Sequence, residues 1–132
     1  MRLLLLAFFV LASPSCFAST AQMDGNDMLS KCKPLFDDIM GTPNTSATFS
    51  EKLDSTYCAG YIAGVLDVEA AWRRVEGESS KATHYCLPAD GIPNEQVLRI
   101  LKKWLDKNPE KLHLRADFIV HAAILEAFPC KG

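Results

Sequence analysis

Apolar residues recur at steps of three and four over most of the chain and nowhere alternate in a sustained way, so the pattern predicts helices and no sheet. Between Asp24 and Met40 they fall at Met28, Leu29, Cys32, Leu35, Phe36, Ile39 and Met40, one face of a helix that Asn26 or Asp27 can cap. Pro34 lies inside that face. An interior proline removes a hydrogen bond and collides with the preceding turn, so a kink or a break into two pieces is expected there. The stretch Gly41–Ala47 is a polar loop.

Thr48-Phe49-Ser50-Glu51 has the form of a capping box, in which the threonine and glutamate each satisfy the other's free amide. Behind it Leu53, Tyr57, Tyr61, Val65, Val68 and Trp72 predict a long amphipathic helix running to about Arg74. Tyr57, Tyr61 and Trp72 could line a ligand pocket, but at helical spacing they read as core. Gly60 and Gly64 sit in the middle of this helix, each costing about 1 kcal/mol relative to alanine. Close packing of another helix, or of a second subunit, on the strip of Gly60 and Gly64 with Tyr57 and Tyr61 would offset that cost.

Residues 73–83 are polar and broken by Gly77, an exposed connection. A third helix opens with Pro93 as its first residue and carries Val97, Leu98, Leu101, Trp104 and Leu105 as its stripe until Asn108-Pro109 stops it. A last helix from Arg115 to Phe128 offers Phe118, Ala122, Leu125 and Phe128 on one side, with Ile119, Ala123 and Ile124 beside them. The fold class is all-α, a small bundle of four main helices.

The chain starts differently. Met1-Arg2 leads into ten apolar residues, Leu3–Ala12, and then Ser13-Pro14-Ser15-Cys16-Phe17-Ala18, the layout of a cleaved secretory signal. Ten residues of helix reach about 15 Å, half of a bilayer core, so this segment does not span a membrane. Cleavage after Ala18, with small residues at −1 and −3, is preferred to cleavage after Ala21; a lipid anchor on Cys16 would want a leucine where Ser13 stands. Residues 1–18 are therefore expected to leave, and 19–132 to form one domain outside the cytoplasm with 13 basic and 16 acidic residues, a balance of −3.

Four of the five cysteines remain, an even set in a chain bound for an oxidising compartment, which favours two disulfides over metal ligation. Cys32 and Cys58 sit at similar heights in an antiparallel hairpin of the first two helices. Cys86 precedes the third helix and Cys130 follows the fourth, ends that antiparallel neighbours bring together. The favoured pairs are Cys32 with Cys58 and Cys86 with Cys130, two other connectivities remaining open; in the loop-entropy account each bridge contributes roughly 3.5–4 kcal/mol.

Composition narrows the function classes. Apolar residues make up 48% and charged residues 23%, too apolar for a disordered chain, and a net charge of −2 without a basic run leaves no footprint for a phosphate backbone. No nucleic-acid partner and no cofactor are expected. His84, His113 and His121 are not spaced as metal ligands, and Asp117 with His121 is the one acid–base spacing on a helix face, which more often serves as an ion pair than as a catalyst. Serine elbows, phosphate loops and zinc-protease helices are missing from the sequence, so no enzyme is expected.

Several segments together resemble the Rap/Tai immunity-protein family of type VI secretion systems. They are Asn26-Asp27-Met28-Leu29 with Cys32; Tyr57-Cys58-Ala59-Gly60-Tyr61-Ile62-Ala63-Gly64-Val65-Leu66-Asp67; Tyr85-Cys86-Leu87-Pro88 with Gly91-Ile92; Trp104-Leu105 with Asn108-Pro109-Glu110 and His113; and Ala127-Phe128-Pro129-Cys130. They follow the family's order across most of residues 19–132, with a longer insert between Cys32 and Tyr57 that holds Pro34 and Pro43. The resemblance implies a small helical periplasmic protein, commonly a homodimer, that binds and blocks a peptidoglycan amidase injected by neighbouring cells. The cysteines, glycines and aromatics would maintain the fold, and partner contacts would come from the connection after the second helix, with Arg73, Arg74, Glu76 and Glu78 foremost. Two rival classes are an acid-activated periplasmic chaperone and a helical carrier of an apolar ligand.

Overall fold

A computed structural model describes residues 22–76 and 85–130. The leader with Cys16, and residues 77–84 with Glu78 and His84, lie outside them. Every element described is helical. The Asp24–Met40 stretch is two helices, α1 (Gly25–Lys31) and α2 (Lys33–Ile39), meeting at Cys32. Pro34 falls in the first turn of α2, where its missing N–H has no helical partner to lose.

The cap of α1 is Asp24 rather than Asn26 or Asp27. Its carboxylate accepts from the Asp27 amide at 2.9 Å, and the Asp27 carboxylate accepts from the Asp24 amide at 3.3 Å. A distant segment holds Asp24 in place: the Ala116 amide donates to the Met23 carbonyl at 2.9 Å and the Gly25 amide to the Leu114 carbonyl at 3.1 Å. The pairing is an isolated antiparallel bridge between Asp24 and Arg115.

Helix α3 spans Phe49–Glu76, two residues past Arg74. Its start is the capping box, with the Glu51 carboxylate 2.7 Å from the Thr48 amide and the Thr48 hydroxyl 3.3 Å from the Glu51 amide. Those bonds hold the Glu51 carboxyl below its ordinary pKa. Helix α4 spans Asn94–Lys107, with Pro93 standing just before its first residue. Buried Asn108 closes α4 by donating from its side chain to the Trp104 carbonyl at 2.8 Å. A short 3₁₀ turn, Pro109–Lys111, leads to α5 (Ala116–Ala127).

Helix α4 packs on α5 and α2, and α3 lies against α1, α2 and α5. The core between them is built from Met28, Phe36, Ile62, Leu101, Leu105, Ile119, Val120 and Ile124. Cys32 and Cys58 are joined, with Cα atoms 5.3 Å apart, fastening the α1–α2 joint to the middle of α3. Cys86 and Cys130 are joined at 4.9 Å, tying the approach to α4 to the exit from α5.

That first bridge sets the rotation of α3. Cys58 and Ile62 point into the core, whereas Leu53, Tyr57, Val68 and Trp72, read from the sequence as the inner stripe, are at least half exposed. The same shift occurs in α5, where Ile119, Val120, Ala123 and Ile124 are buried and Phe118 and Leu125 face outward. Both helices carry two apolar faces at helical period, and packing selects one.

Candidate partner-binding surface

The outward faces of α3 and α5 lie side by side. Between them runs an open groove of about 510 Å³, lined by Gly60, Tyr61, Gly64, Val65 and Val68 from α3 and by Asp117 and His121 from α5. It continues into a hollow of about 550 Å³ bounded by Glu69, Arg115, Phe118, Ala122 and Leu125. A Cβ built on Gly60 or Gly64 would meet no atom within 4 Å beyond its own helix backbone, so no described helix packs on that strip. Tyr57 and Tyr61 flank it with ring centres 6.3 Å apart, and the Lys31 ammonium sits 5.7 Å from the Tyr57 ring.

Two charged residues of the groove, Arg115 and Asp117, are engaged with each other. Arg115 clasps Asp117 through two guanidinium nitrogens, at 2.6 and 3.0 Å, and Asp117 also accepts from the Phe118 amide at 2.9 Å. The Arg115 guanidinium is the chief reason the Asp117 carboxyl lies below its ordinary pKa. Burial and the Asp117 charge push the Tyr61 hydroxyl upward. Asp117 is thus ion-paired with Arg115, and among the described residues no hydrogen bond or ion pair joins it to His121 to orient a general base. Among the described residues, no three His, Cys, Asp or Glu side chains gather as a metal site, and no helix is long and apolar enough to cross a membrane.

At the far end of α3 the three candidate contact residues that are described, Arg73, Arg74 and Glu76, do not share one role. Arg73 turns inward: its Nη2 donates to the Tyr85 carbonyl at 2.6 Å, its guanidinium carbon lies 4.8 Å from the centre of the Tyr85 ring, and its Nε is 3.6 Å from the Glu69 carboxylate. Arg74 is exposed one residue on, and Glu76 ends the helix. Arg73 thus positions the segment that returns from residues 77–84, a role hidden in the sequence because Tyr85 lies twelve residues away. The other feature not read from the sequence is the exposure of Leu53, Val68 and Trp72, whose spacing matches a core stripe.

Comparison with curated proteins and with solved structures gives no match. The family model for Rap1a immunity proteins, by contrast, matches residues 24–130, from the cap of α1 to the last cysteine. That span covers most of the chain and includes both disulfides, α3 and the groove, and the chain belongs to the Rap1a immunity-protein family.

Proposed function

We propose that this chain is a periplasmic immunity protein that binds a peptidoglycan amidase delivered by a type VI secretion system, blocks its active site, and works as a non-catalytic homodimer. The observation that carries the proposal is the family match over residues 24–130. The signal-like leader and two disulfides support the compartment, since such bridges persist where the surroundings are oxidising. A groove whose charged groups are paired internally and whose rim is apolar suits contact with protein better than it suits chemistry.

Effector contacts are assigned to the connection after α3, with Arg74, Glu76 and Glu78 as the reaching side chains and Arg73 holding its base. The test is inhibition of a purified type VI amidase, followed by release of cleaved peptidoglycan peptides, with the wild-type protein and with a variant carrying Gly/Ser in place of residues 77–83. The wild type should inhibit stoichiometrically. The loop variant should keep its melting temperature and lose binding. Unchanged binding by that variant overturns the loop assignment; no binding by the wild type to any amidase, with capture of another effector type, overturns the amidase assignment.

A further inference from the structure

The cations of α4 are matched with acids, with one exception. Arg99 meets Glu95 at 2.6 Å and Lys102 meets Asp106 at 2.6 Å, each pair one turn apart on the helix. Lys103 stands at that same spacing between Arg99 and Lys107, so its neighbours along the helix are like charges that repel it. Among the described residues it has no ion-pair partner. A cation in the last turn of a helix complements the dipole, which accounts for Lys107 but not for Lys103, a turn earlier.

Lys103 lines a hollow of about 130 Å³ where α4 meets α5. Ile100 and Trp104 of α4 and Ala123 and Ala127 of α5 supply its apolar lining, with Lys103, Lys107 and Glu126 as its charged part. Trp104 and Ala123 are buried whereas the three charged residues are exposed, so the hollow is apolar inside and charged at its mouth. The Lys107 ammonium donates to Oε1 of Glu126 at 2.6 Å. Lys111 donates to the Asn108 side-chain oxygen at 2.7 Å, lies 5.4 Å from the centre of a Trp104 ring, and is 3.7 Å from the Glu110 carboxylate. The Glu126 carboxyl sits below its ordinary pKa, chiefly through the bond from Lys107, with the charges of Lys111 and Lys103 adding to it. Three ammoniums therefore act on a mouth that holds one carboxylate, in a chain whose net charge is −2.

The size and lining of the hollow select its ligand. A cavity of about 150 Å³ takes benzene, so this slightly smaller one suits a short aliphatic group. An aliphatic group alone would leave Lys103 unpaired, and an anion alone would leave the apolar floor wet. The last residue of a peptide carries a carboxylate and a side chain on one carbon, and beside them an amide N–H that can donate to Oε2 of Glu126, the oxygen that Lys107 leaves free. At 3.6 residues per turn, Ala123, Glu126 and Ala127 lie on the side of α5 away from Asp117 and His121, so the hollow stays open when the α3–α5 groove is covered.

We propose that the α4–α5 hollow binds the carboxyl-terminal end of a peptide whose last residue is small and aliphatic. Lys103 and Lys107 hold the carboxylate, Glu126 accepts from the last amide, and Ile100, Trp104, Ala123 and Ala127 receive the side chain. Two sources present such an end: wall peptides that finish in D-alanine, and protein chains that finish in an L-residue. The site is separate from the contacts assigned to an effector and to a second copy, and it does not depend on the proposed function.

Titration of the isotope-labelled protein with N-acetyl-D-alanyl-D-alanine and with N-acetyl-L-alanyl-L-alanine, followed by amide and indole NMR signals, tests it. At least one of the two should shift the Trp104 indole and the Ala123 and Ala127 amides, with a Kd on the order of 1 mM for so small a ligand. Whichever binds more tightly identifies the source. The same peptide capped as a carboxamide should bind about tenfold more weakly, because the charge-assisted bonds to the lysines are lost. Lys103→Met keeps the apolar stem and removes the charge, so it should weaken binding by about fivefold to tenfold and flatten its dependence on salt. Ala127→Leu, at an exposed position, fills the hollow and should abolish binding while helix content by circular dichroism is kept. No shift of the Trp104 indole by either peptide at about 20 mM, equal binding of the carboxamide, or unchanged affinity in Lys103→Met would each overturn the proposal.

Discussion

The guanidinium of Arg73 holds Tyr85 twice, donating to its carbonyl at 2.6 Å and lying 4.8 Å from the centre of its ring. Tyr85 is 1% exposed and is the first described residue after 77–84, so this contact returns the chain from α3 to the core. A charged donor on a buried carbonyl is worth more than an ordinary hydrogen bond, and its loss leaves the acceptor unpaired. Arg73→Ala is therefore expected to cost about 1–3 kcal/mol and lower the melting temperature by several degrees. Arg74→Ala, one residue on and exposed, should leave thermal stability within about 0.5 kcal/mol of wild type. Thermal melts of the two variants side by side check the contrast, and equal melts would show that Arg73 does not hold the return.

The same tyrosine supplies an opposite prediction. Its hydroxyl is buried with no hydrogen-bond partner among the described residues, and burial together with the Glu69 charge pushes its pKa up from 10 to about 12. Because the fold favours the neutral phenol, this contribution to stability is complete below about pH 10 and is lost as pH rises towards 12. Tyr85 should ionise well above pH 10 in a phenolate absorbance titration, with alkaline unfolding accompanying it. Tyr85→Phe removes an unsatisfied group without changing the ring, so its stability should equal or exceed that of the wild type at neutral pH, and its alkaline transition should move upward. A loss of several degrees in that variant would mean the hydroxyl has a partner after all.

Much of the architecture was legible because local rules and long-range packing agree at particular residues. Pro34 marked the break between α1 and α2, Thr48 with Glu51 marked the start of α3, and Asn108-Pro109 marked the end of α4. The cap of α1 was misread because Asp24 is held by Leu114 and Arg115, ninety residues on, and no local pattern records that pairing. The rotation of α3 was misread for a different reason. Leu53, Tyr57, Val68 and Trp72 obey the same period as Cys58 and Ile62, and a sequence with two apolar faces does not say which one a disulfide will pull inward. The candidate surface was hidden by that ambiguity: its residues were visible and their exposure was not.

The two bridges differ in access. Cys32 and Cys58 are each 0% exposed, whereas Cys86 and Cys130 lie at the surface. Thiol exchange requires an attacking thiolate to reach a sulfur, so a mild reductant should open Cys86–Cys130 first and leave Cys32–Cys58 closed while the fold stands. Alkylation followed by peptide mass spectrometry should tag Cys86 and Cys130 well before Cys32 and Cys58. The half-reduced protein should be less stable by roughly 3.5–4 kcal/mol in the loop-entropy account, and unfolding should coincide with reduction of the inner bridge. Simultaneous labelling of all four would show that opening of the whole domain, and not local access, controls reduction.

Three glycines in helices should respond to one substitution with opposite signs. A Cβ on Gly25 would stand 2.7 Å from the Leu112 carbonyl oxygen, 2.8 Å from the Leu112 Cα and 2.7 Å from the Ile119 side-chain tip. The isoleucine can rotate, but the backbone of Leu112 cannot, because the Asn26 amide donates to that same carbonyl at 3.2 Å and the Gly25 amide to Leu114 at 3.1 Å. Gly25→Ala must then push α1 off the segment before α5, at a cost of about 1–3 kcal/mol from overpacking. At Gly60 and Gly64 the added methyl meets nothing within 4 Å, so each alanine should contribute up to about 1 kcal/mol from helix propensity in the single copy. Chemical denaturation at protein concentrations low enough to dissociate any dimer isolates this term. If Gly25→Ala proved neutral there, the contact between α1 and Leu112 would be looser than the geometry requires. If Gly60→Ala and Gly64→Ala proved destabilising at that dilution, something within the single copy would have to cover the outer face of α3.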